Sequence, residues 1–434
     1  MNLNHNSPDN SSFSPSEFSL SFSPNYPIIV HCHLRWDFVW QRPQQFHSRL
    51  SKNHPILFVE GPEVLEGDFA PRYSLKRDEQ FLGVTVMRTQ FSERDWAKGG
   101  EFVDATRRIL LDAALKNELK GQFSRAVQWF YDPMAVASHL GQHGSIATVY
   151  DCMDELSQFK FAPPELISRE RRLLYAADVV FAGGRKMRDS KIRFNPNTHF
   201  YGCGVDVAHF GKARLASTPI PEDIAGLEGP VLGYFGVVDE RLDYELIEKI
   251  AKSNANWHVV IVGPTAKIDE SQLPKAPNLH WLGGRDYSQL PAYTKRFDVA
   301  LMPFALNEAT EFINPTKALE YMATATPVVS TPVPDVVSNF ASACKILDTH
   351  EDFICEAWKQ SQCADELMLE RGSKLANENT WEAIVAKMEG HIEAALLQRL
   401  SIERRLRVPV TVPLGGVAQN VAASVLNLTS SSAA

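Results

Sequence analysis

Short apolar runs, each closed by a glycine, proline or polar turn, alternate along this chain with segments whose apolar positions recur at helical spacing. Such alternation marks βα units around a parallel sheet, so the expected fold class is α/β. A first series predicts strands at 27–31, 56–60, 126–130, 147–150 and 179–182, with helices near 42–51, 101–119 and 163–177 between them. A second series repeats the plan with strands at 231–235, 258–262, 280–282, 299–302 and 327–330. Residues 213–229 hold Pro and Gly without periodicity and read as a linker. The expectation is two tandem Rossmann-like, doubly wound parallel-sheet domains, 26–212 and 230–375. In such folds ligands sit in the crevice beyond the carboxyl ends of the strands. A helical pattern at 380–400, within a last segment 376–402, carries Trp381, Ile384 and Ile392 after the second sheet is complete.

Composition narrows the class. The 434 residues are 44% hydrophobic and 22% charged, which fits a globular chain of two domains. A net charge of -8 argues against broad binding to nucleic acid, whose phosphates demand basic surface. The six cysteines are scattered without zinc-ligand spacing and read as reduced thiols of a cytoplasmic protein. No run approaches the roughly 20 apolar residues that span a bilayer, which leaves a soluble chain or one peripheral to the inner face of the membrane. Residues 1–25, rich in Ser, Asn and Pro, lack the basic start and apolar centre of a signal peptide and read as a disordered tail. Residues 403–434, uncharged from Val408 and rich in Ser, Val and Ala, read likewise.

The most informative stretch runs from Asn314 to Thr331. Asn314 suits an N-cap and Pro315 the first helical position, where a missing N–H costs nothing. Ala318, Leu319 and Met322 then share one face, leaving Lys317 and Glu320 together on the other. A helix mouth offers free N–H groups and positive potential, so Lys317 beside it suits an anion such as a diphosphate, and Glu320 suits ribose hydroxyls. The competing reading is a plain capped surface helix with an i,i+3 Lys–Glu pair.

The run from Pro303 to Thr331 resembles the nucleotide-sugar site of GT-B glycosyltransferases, most closely the GT4-like group (glycosyl transferase group 1). The second glutamate of that family's paired-glutamate motif maps to Glu320; the first would fall at Phe312, with Glu308 or Glu311 as nearby substitutes. Gly204-Val-Asp-Val-Ala-His-Phe210 resembles the family's segment before the interdomain hinge. In Gly233-Tyr-Phe-Gly236 and the turn after it, the resemblance implies an approach to the donor diphosphate. The family's arginine and lysine positions there are held by Val237 and Leu242, so Arg241 and Lys317 are assigned the diphosphate charge, with a salt bridge from Arg241 to Asp239 or Asp243 as the alternative. The resemblance also implies that Gly283-Gly-Arg285 meets the base through backbone atoms, and that the terminal helix crosses back to the first domain.

In the first domain, Asp151 and Asp154 follow a strand and are candidates for positioning the transferred sugar or the acceptor hydroxyl. Asp151 stands about where relatives carry a histidine. Asp132 extends the same rim, and helix capping is the rival role for each acid. The loop after the first strand, with Arg35, Trp36, Asp37, Gln41 and Arg42, resembles a subgroup of bacterial glycosyltransferases associated with polysaccharide synthesis. Its aromatic faces and Arg forks suit sugars and oxyanions, although Trp36 and Trp40 also suit core packing.

No metal-ligand cluster or hydrolase motif stands out, so no metal and no cofactor is expected. The reading is transfer of a hexose-type sugar from a nucleotide-diphosphate sugar, UDP being the commoner base in the group, to an acceptor hydroxyl with retention. The expected partners are that donor and a carbohydrate or glycolipid acceptor, with peripheral membrane contact left open. The rivals are a GT-B nucleotide-sugar epimerase and a non-catalytic nucleotide-sugar-binding protein.

Overall fold

The computed structural model describes residues 25–407, apart from 39, 159–161, 267, 308–309, 311–312 and 314–315, and for 403–407 the backbone alone. Most of each expected tail, residues 1–24 and 408–434, therefore lies outside the described residues. Buried apolar strands form the centre of both halves. The first, nine-stranded sheet consists of β1 (Ile28–Cys32), β2 (Ile56–Glu60), β3 (Glu63–Leu65), β4 (Arg72–Arg77), β5 (Val84–Ser92), β6 (Val127–Phe130), β7 (Ala147–Cys152), β8 (Val179–Ala182) and β9 (Thr198–Phe200). Its order is β3-β5-β2-β1-β6-β7-β8-β9, with β4 antiparallel on β5 and the other pairs parallel. The second, six-stranded sheet holds β10 (Val231–Phe235), β11 (His258–Val262), β12 (Leu279–Trp281), β13 (Val299–Met302), β14 (Val328–Ser330) and β15 (Lys345–Ile346), ordered β12-β11-β10-β13-β14-β15. In each sheet the order reverses beside the first strand, which sets a switch point between β1 and β6 and another between β10 and β13.

Every strand read from the apolar runs is present, shifted by two residues at most. The runs did not disclose β3, β4, β5, β9 or β15. For β4, Arg72-Tyr-Ser-Leu-Lys-Arg77 is charged and largely exposed, as suits an edge that must not pair with another chain. Such a strand carries no apolar signal.

The chain crosses between domains earlier than its composition suggests. Phe210 is already buried in the second core, stacked 5.8 Å from Phe235. Residues 213–229 then pack on that domain: Ile224 is buried there, and Lys295 Nζ donates to the carbonyls of Leu215 and Thr218 at 2.7 and 2.6 Å. The outward crossing is near Gly204 and the return is at Asn379–Trp381, where the Val205 amide donates to the Asn379 carbonyl at 3.0 Å. A Cβ on Gly204 would fall 2.7 Å from the Trp381 amide nitrogen, so only glycine allows the two crossings to touch.

The helix Trp381–Arg407 returns to the first domain. Trp381, Ile384, Val385, Met388, Ile392 and Leu396 recur at helical spacing and join the first domain's core, where the helix packs on β7, β8 and the helix Arg42–Leu50. Each such burial contributes roughly 1.5–3 kcal/mol relative to exposure. Trp381 meets Phe46 edge-on at 5.5 Å, and Arg49–Glu382 (2.6 Å), His54–Glu389 (3.0 Å) and Arg399–Asp178 (2.5 Å) tie the helix along its length.

Candidate functional site

The carboxyl end of β10 meets the start of the helix Lys317–Thr324 at the second switch point. Tyr321 docks that helix, its hydroxyl accepting from the Phe235 amide at 2.9 Å. At Gly236 the backbone turns through φ +146°, and a Cβ there would lie 2.0 Å from Lys317 Cε. Glycine thus lets the lysine lie across the strand end, its Nζ 5.8 Å from the centre of the Tyr234 ring. Among the described residues the side chains of Lys317 and Glu320 make neither a hydrogen bond nor an ion pair, and the Glu320 amide bonds only the Thr316 carbonyl; the i,i+3 pair of a plain surface helix is not formed. Both are only partly exposed. Burial lowers the Lys317 ammonium, with Glu320 opposing and Arg241 reinforcing the shift. Burial also pushes Glu320 up to about 7, against the pull of Lys317. Asn314 and Pro315, expected to cap this helix and bind donor, lie outside the described residues, as do Glu308, Glu311 and Phe312.

Arg241 takes the alternative read from its neighbours. Its Nε lies 2.9 and 3.0 Å from the Asp239 carboxylate oxygens and its terminal nitrogen 2.6 Å from Oδ2. The loop is held against the end of β13, with the Asp243 amide donating to the Pro303 carbonyl and the Ala305 amide to that of Arg241. The guanidinium still acts electrostatically on Lys317 and Tyr234. The Arg285 side chain is committed within the domain, donating to Tyr293, Leu282, Gly284 and Asp223.

The first domain revises several expectations. Arg42 and Asp151 do not face solvent: Arg42 is 4% exposed and Asp151 fully buried. They bind each other, and Arg42 also donates to the carbonyls of Tyr201 and Gly202 at 2.6 and 3.0 Å. A fully buried carboxylate cannot touch a sugar, so Asp151 is a positioning group rather than a catalytic one, and Arg42 is likewise removed from the acceptor surface. Trp36 is buried between Phe58 and Phe81, its indole donating to Asp78. Aromatic packing has therefore taken the face that a sugar would need. Asp132 is 7% exposed and caps Pro133–Ala135 through the Met134 amide. Gln41 forms a reciprocal cap with Gln44 at the start of Arg42–Leu50. Arg35 and Asp37 belong to one network: buried Glu60 accepts from Arg35 at 2.9 Å and Arg88 at 2.7 Å, while Arg88 also reaches Asp37 at 2.7 Å.

Asp154 is different. Its carboxyl touches solvent yet lies deep among protein atoms, and it makes no hydrogen bond or ion pair among the described residues. Burial raises it, with His33 and Arg42 opposing. The Nδ1 of His33 is buried without a partner. The two lobes converge at Cys203 on the outward crossing. Burial pushes its thiol up to about 11, with Arg42 opposing and Asp154, Asp151 and Glu320 adding to the shift. Tyr287 also faces this region: burial and then Glu320 raise its hydroxyl, and its ring stacks 4.3 Å from His209. Sequence reasoning passed over His33 and Tyr287, since neither stands in a motif; a polar or aromatic residue in the loop beyond a strand end was the available signal. The described residues contain no cluster of three or more metal-ligating side chains, and no helix long and apolar enough to cross a membrane.

Two Rossmann-like domains joined by paired crossings, with their switch points turned to one cleft, define the GT-B class. Residues 229–359, within the second domain, match the model of the family described as Glycosyl transferases group 1. TuaH of Bacillus subtilis (strain 168), named as a glycosyltransferase of teichuronic acid biosynthesis, is 28% identical over 204 residues, covering 43% of this chain. That match spans 50% of the relative's own length. Among solved structures, a UDP-forming α,α-trehalose-phosphate synthase from Burkholderia xenovorans superposes with a TM-score of 0.61 at 13% identity, over 86% of this chain and 99% of its own. A trehalose-6-phosphate protein from E. coli bound with UDP-2-fluoro glucose gives 0.57 at 13% identity, over 85% and 99%. At such identities the structural likeness shows the fold alone.

Proposed function

We propose that this protein is a retaining glycosyltransferase that moves a hexose-type sugar from a UDP-sugar to the hydroxyl of a carbohydrate or glycolipid acceptor in polysaccharide or glycoconjugate synthesis. The observation that carries this reading is the pair of unpartnered, partly buried groups Lys317 and Glu320 beside the Gly236 turn. A cation left without an anion and a carboxylate left without a donor fit a diphosphate and a ribose at adjacent positions. UDP is favoured because the structural neighbours include a UDP-forming synthase and a complex with UDP-2-fluoro glucose.

In the proposed step the bond from the anomeric carbon to the diphosphate oxygen breaks, and UDP leaves with the electron pair. The acceptor oxygen bonds to the same face of that carbon, and its proton passes to a phosphate oxygen. Lys317, assisted by Arg241, stabilises the charge developing on the leaving diphosphate. Asp154, with His33 beside it, orients the acceptor hydroxyl. These groups supply the positive and negative charge that the step needs without a resident metal. Work at the inner face of the cytoplasmic membrane fits a glycolipid acceptor.

The test is a thermal-shift panel of nucleotide sugars, followed by turnover of the stabilising donor with and without acceptors and with a chelator present. The expected result is a UDP-sugar that stabilises the fold and is consumed only with acceptor. Isomerisation of the donor without acceptor would make it an epimerase, and binding with no turnover would leave a binding protein. Glu320→Ala is expected to weaken UDP binding about tenfold or more, as lost charge-assisted hydrogen bonds require; unchanged affinity would end the ribose assignment.

A further inference from the structure

The helix Arg185–Lys191 touches three parts of the molecule that the catalytic reading treats separately. It leaves the carboxyl end of β8, beside the segment 153–158 that carries Asp154. Where it starts, the backbone presses on that segment: the Gly183 amide donates to the Cys152 carbonyl at 2.9 Å, and a Cβ on Gly183 would fall 2.8 Å from the Met153 carbonyl oxygen. Its middle rests on the end of β7, with Met187 Sδ 3.6 Å from Cys152 Sγ. Where it ends, buried Lys191 holds Glu155 and Glu170, each at 2.9 Å. Tyr150 donates to the same Glu170 at 2.7 Å, which anchors that grip to the sheet. Asp154 therefore sits between two residues, Met153 and Glu155, that one short helix fixes from its two ends.

The same helix meets the second domain. Arg185 Nε donates at 2.5 Å to Asn339 Oδ1 on the helix Pro334–Phe340, which follows β14. Burial raises the Asp335 carboxyl on that helix, and a hydrogen bond from the Arg185 amide opposes the shift. Phe200 braces the guanidinium from the first domain, its ring centre 4.8 Å away. Asp335 Oδ2 and Asn339 Nδ2 stay buried without partners, so the contact carries a cost and can reopen. Only residues 325–327 separate β14 from Lys317–Thr324, the helix of the donor groups.

We infer that Arg185–Lys191 is a strut by which seating of the second domain sets the position of Asp154, with Arg185, Asn339 and Asp335 as its positioning residues. A helix of seven residues is about 10 Å long and moves as one piece, so a shift at Arg185 is carried to Lys191 and to the segment it grips. An acceptor hydroxyl is then oriented only when the donor lobe is in place, which protects the sugar donor from water. The inference rests on the proposed function for what Asp154 does; the coupling itself needs neither donor nor acceptor.

The test is hydrogen exchange of the full chain without ligand, read by mass spectrometry over 153–158, where the Met153, Leu156 and Gln158 amides bond the carbonyls of Asp151, Asp154 and Glu155. Arg185→Ala and Asn339→Ala, one on each side of the contact, are each expected to speed exchange there roughly threefold to tenfold, with β1 and β2 as protected as in the wild type. Arg185 is exposed, so its truncation is compatible with folding. Glu155→Gln loosens the far end of the strut, and adding Arg185→Ala to it is expected to give less than the product of the two single effects. In turnover, Arg185→Ala is expected to lower kcat about tenfold with UDP affinity unchanged, because it touches no donor group. The inference is overturned if both alanine variants leave exchange over 153–158 unchanged, or if exchange rises equally throughout the first domain. It is overturned too if the double variant gives the full product, or if kcat and UDP affinity fall together. Exchange is measured without donor, so failure there is separate from a failure to transfer sugar.

Discussion

Arg42 and Asp151 face each other as a buried bidentate pair, with Nε 2.9 and 3.1 Å from the two carboxylate oxygens and the second guanidinium nitrogen donating to Tyr201 and Gly202. Burial raises the Asp151 carboxyl, and Arg42 pulls it back. One side chain thereby links the first turn of a helix, the end of β7 and the segment entering the interdomain crossing. Arg42→Ala leaves a buried carboxylate without its partner and is expected to cost about 3–5 kcal/mol in urea unfolding. Arg42→Met with Asp151→Leu is expected to recover most of that loss, since apolar groups need no partner. A single variant that loses less than about 1 kcal/mol would show that the pair holds nothing.

Gly236 and Lys317 compete for the same space. Gly236→Ala brings a Cβ against Lys317 Cε and imposes a φ that alanine resists. It is expected to cost roughly 1–3 kcal/mol of stability and to displace the lysine. Lys317→Met is expected to leave stability unchanged or raised, because a desolvated cation is removed. Calorimetric titration should show both variants binding UDP about tenfold to a hundredfold more weakly. Normal affinity in Lys317→Met would remove the lysine from the donor site.

Glu320 sets a pH dependence with a definite sign. The folded carboxyl holds its proton up to about 7, whereas its ordinary value is 4.5. Between those values the folded state binds more protons than the unfolded one, so stability falls as pH rises through the window and levels off above it. Glu320→Gln is expected to raise the melting temperature at alkaline pH and to match the wild type once acid has protonated both states. Equal melting temperatures across the range would show that Glu320 is not desolvated.

His47 should act in the opposite direction. Its ring lies fully buried, 4.9 Å from Trp129 and edge-on, and neither nitrogen has a hydrogen-bond partner. Burial pushes it down to about 3 from 6.5. The unfolded chain takes up a proton below the ordinary value that the fold refuses, so stability is lost as pH falls from about 6.5 toward 3. His47→Leu is expected to reduce the loss between pH 8 and pH 5 by roughly 2 kcal/mol, measured by denaturant titration at both pH values.

The chain's own order of residues determined the two parallel sheets, because a buried parallel strand must be an apolar run and its covering helix must repeat at 3.6 residues. It also brought Lys317 and Glu320 to one side of one helix, a matter of spacing within a single turn. Sequence could not show which charges are already taken. Asp151 stands at the end of β7 and Asp154 just beyond it, three residues on, yet one is sealed against Arg42 and the other is exposed. Arg241 and Lys317 are both cations near the same turn, but Asp239 holds only the first. The first of these pairings joins residues far apart in the chain, as does the contact of Trp381 with Gly204, while the Arg241–Asp239 pair is local and only the folded turn chose it over Asp243. Local periodicity carries no record of those distances, so the elements were legible in the sequence and the free valences of the site were decided by the tertiary fold.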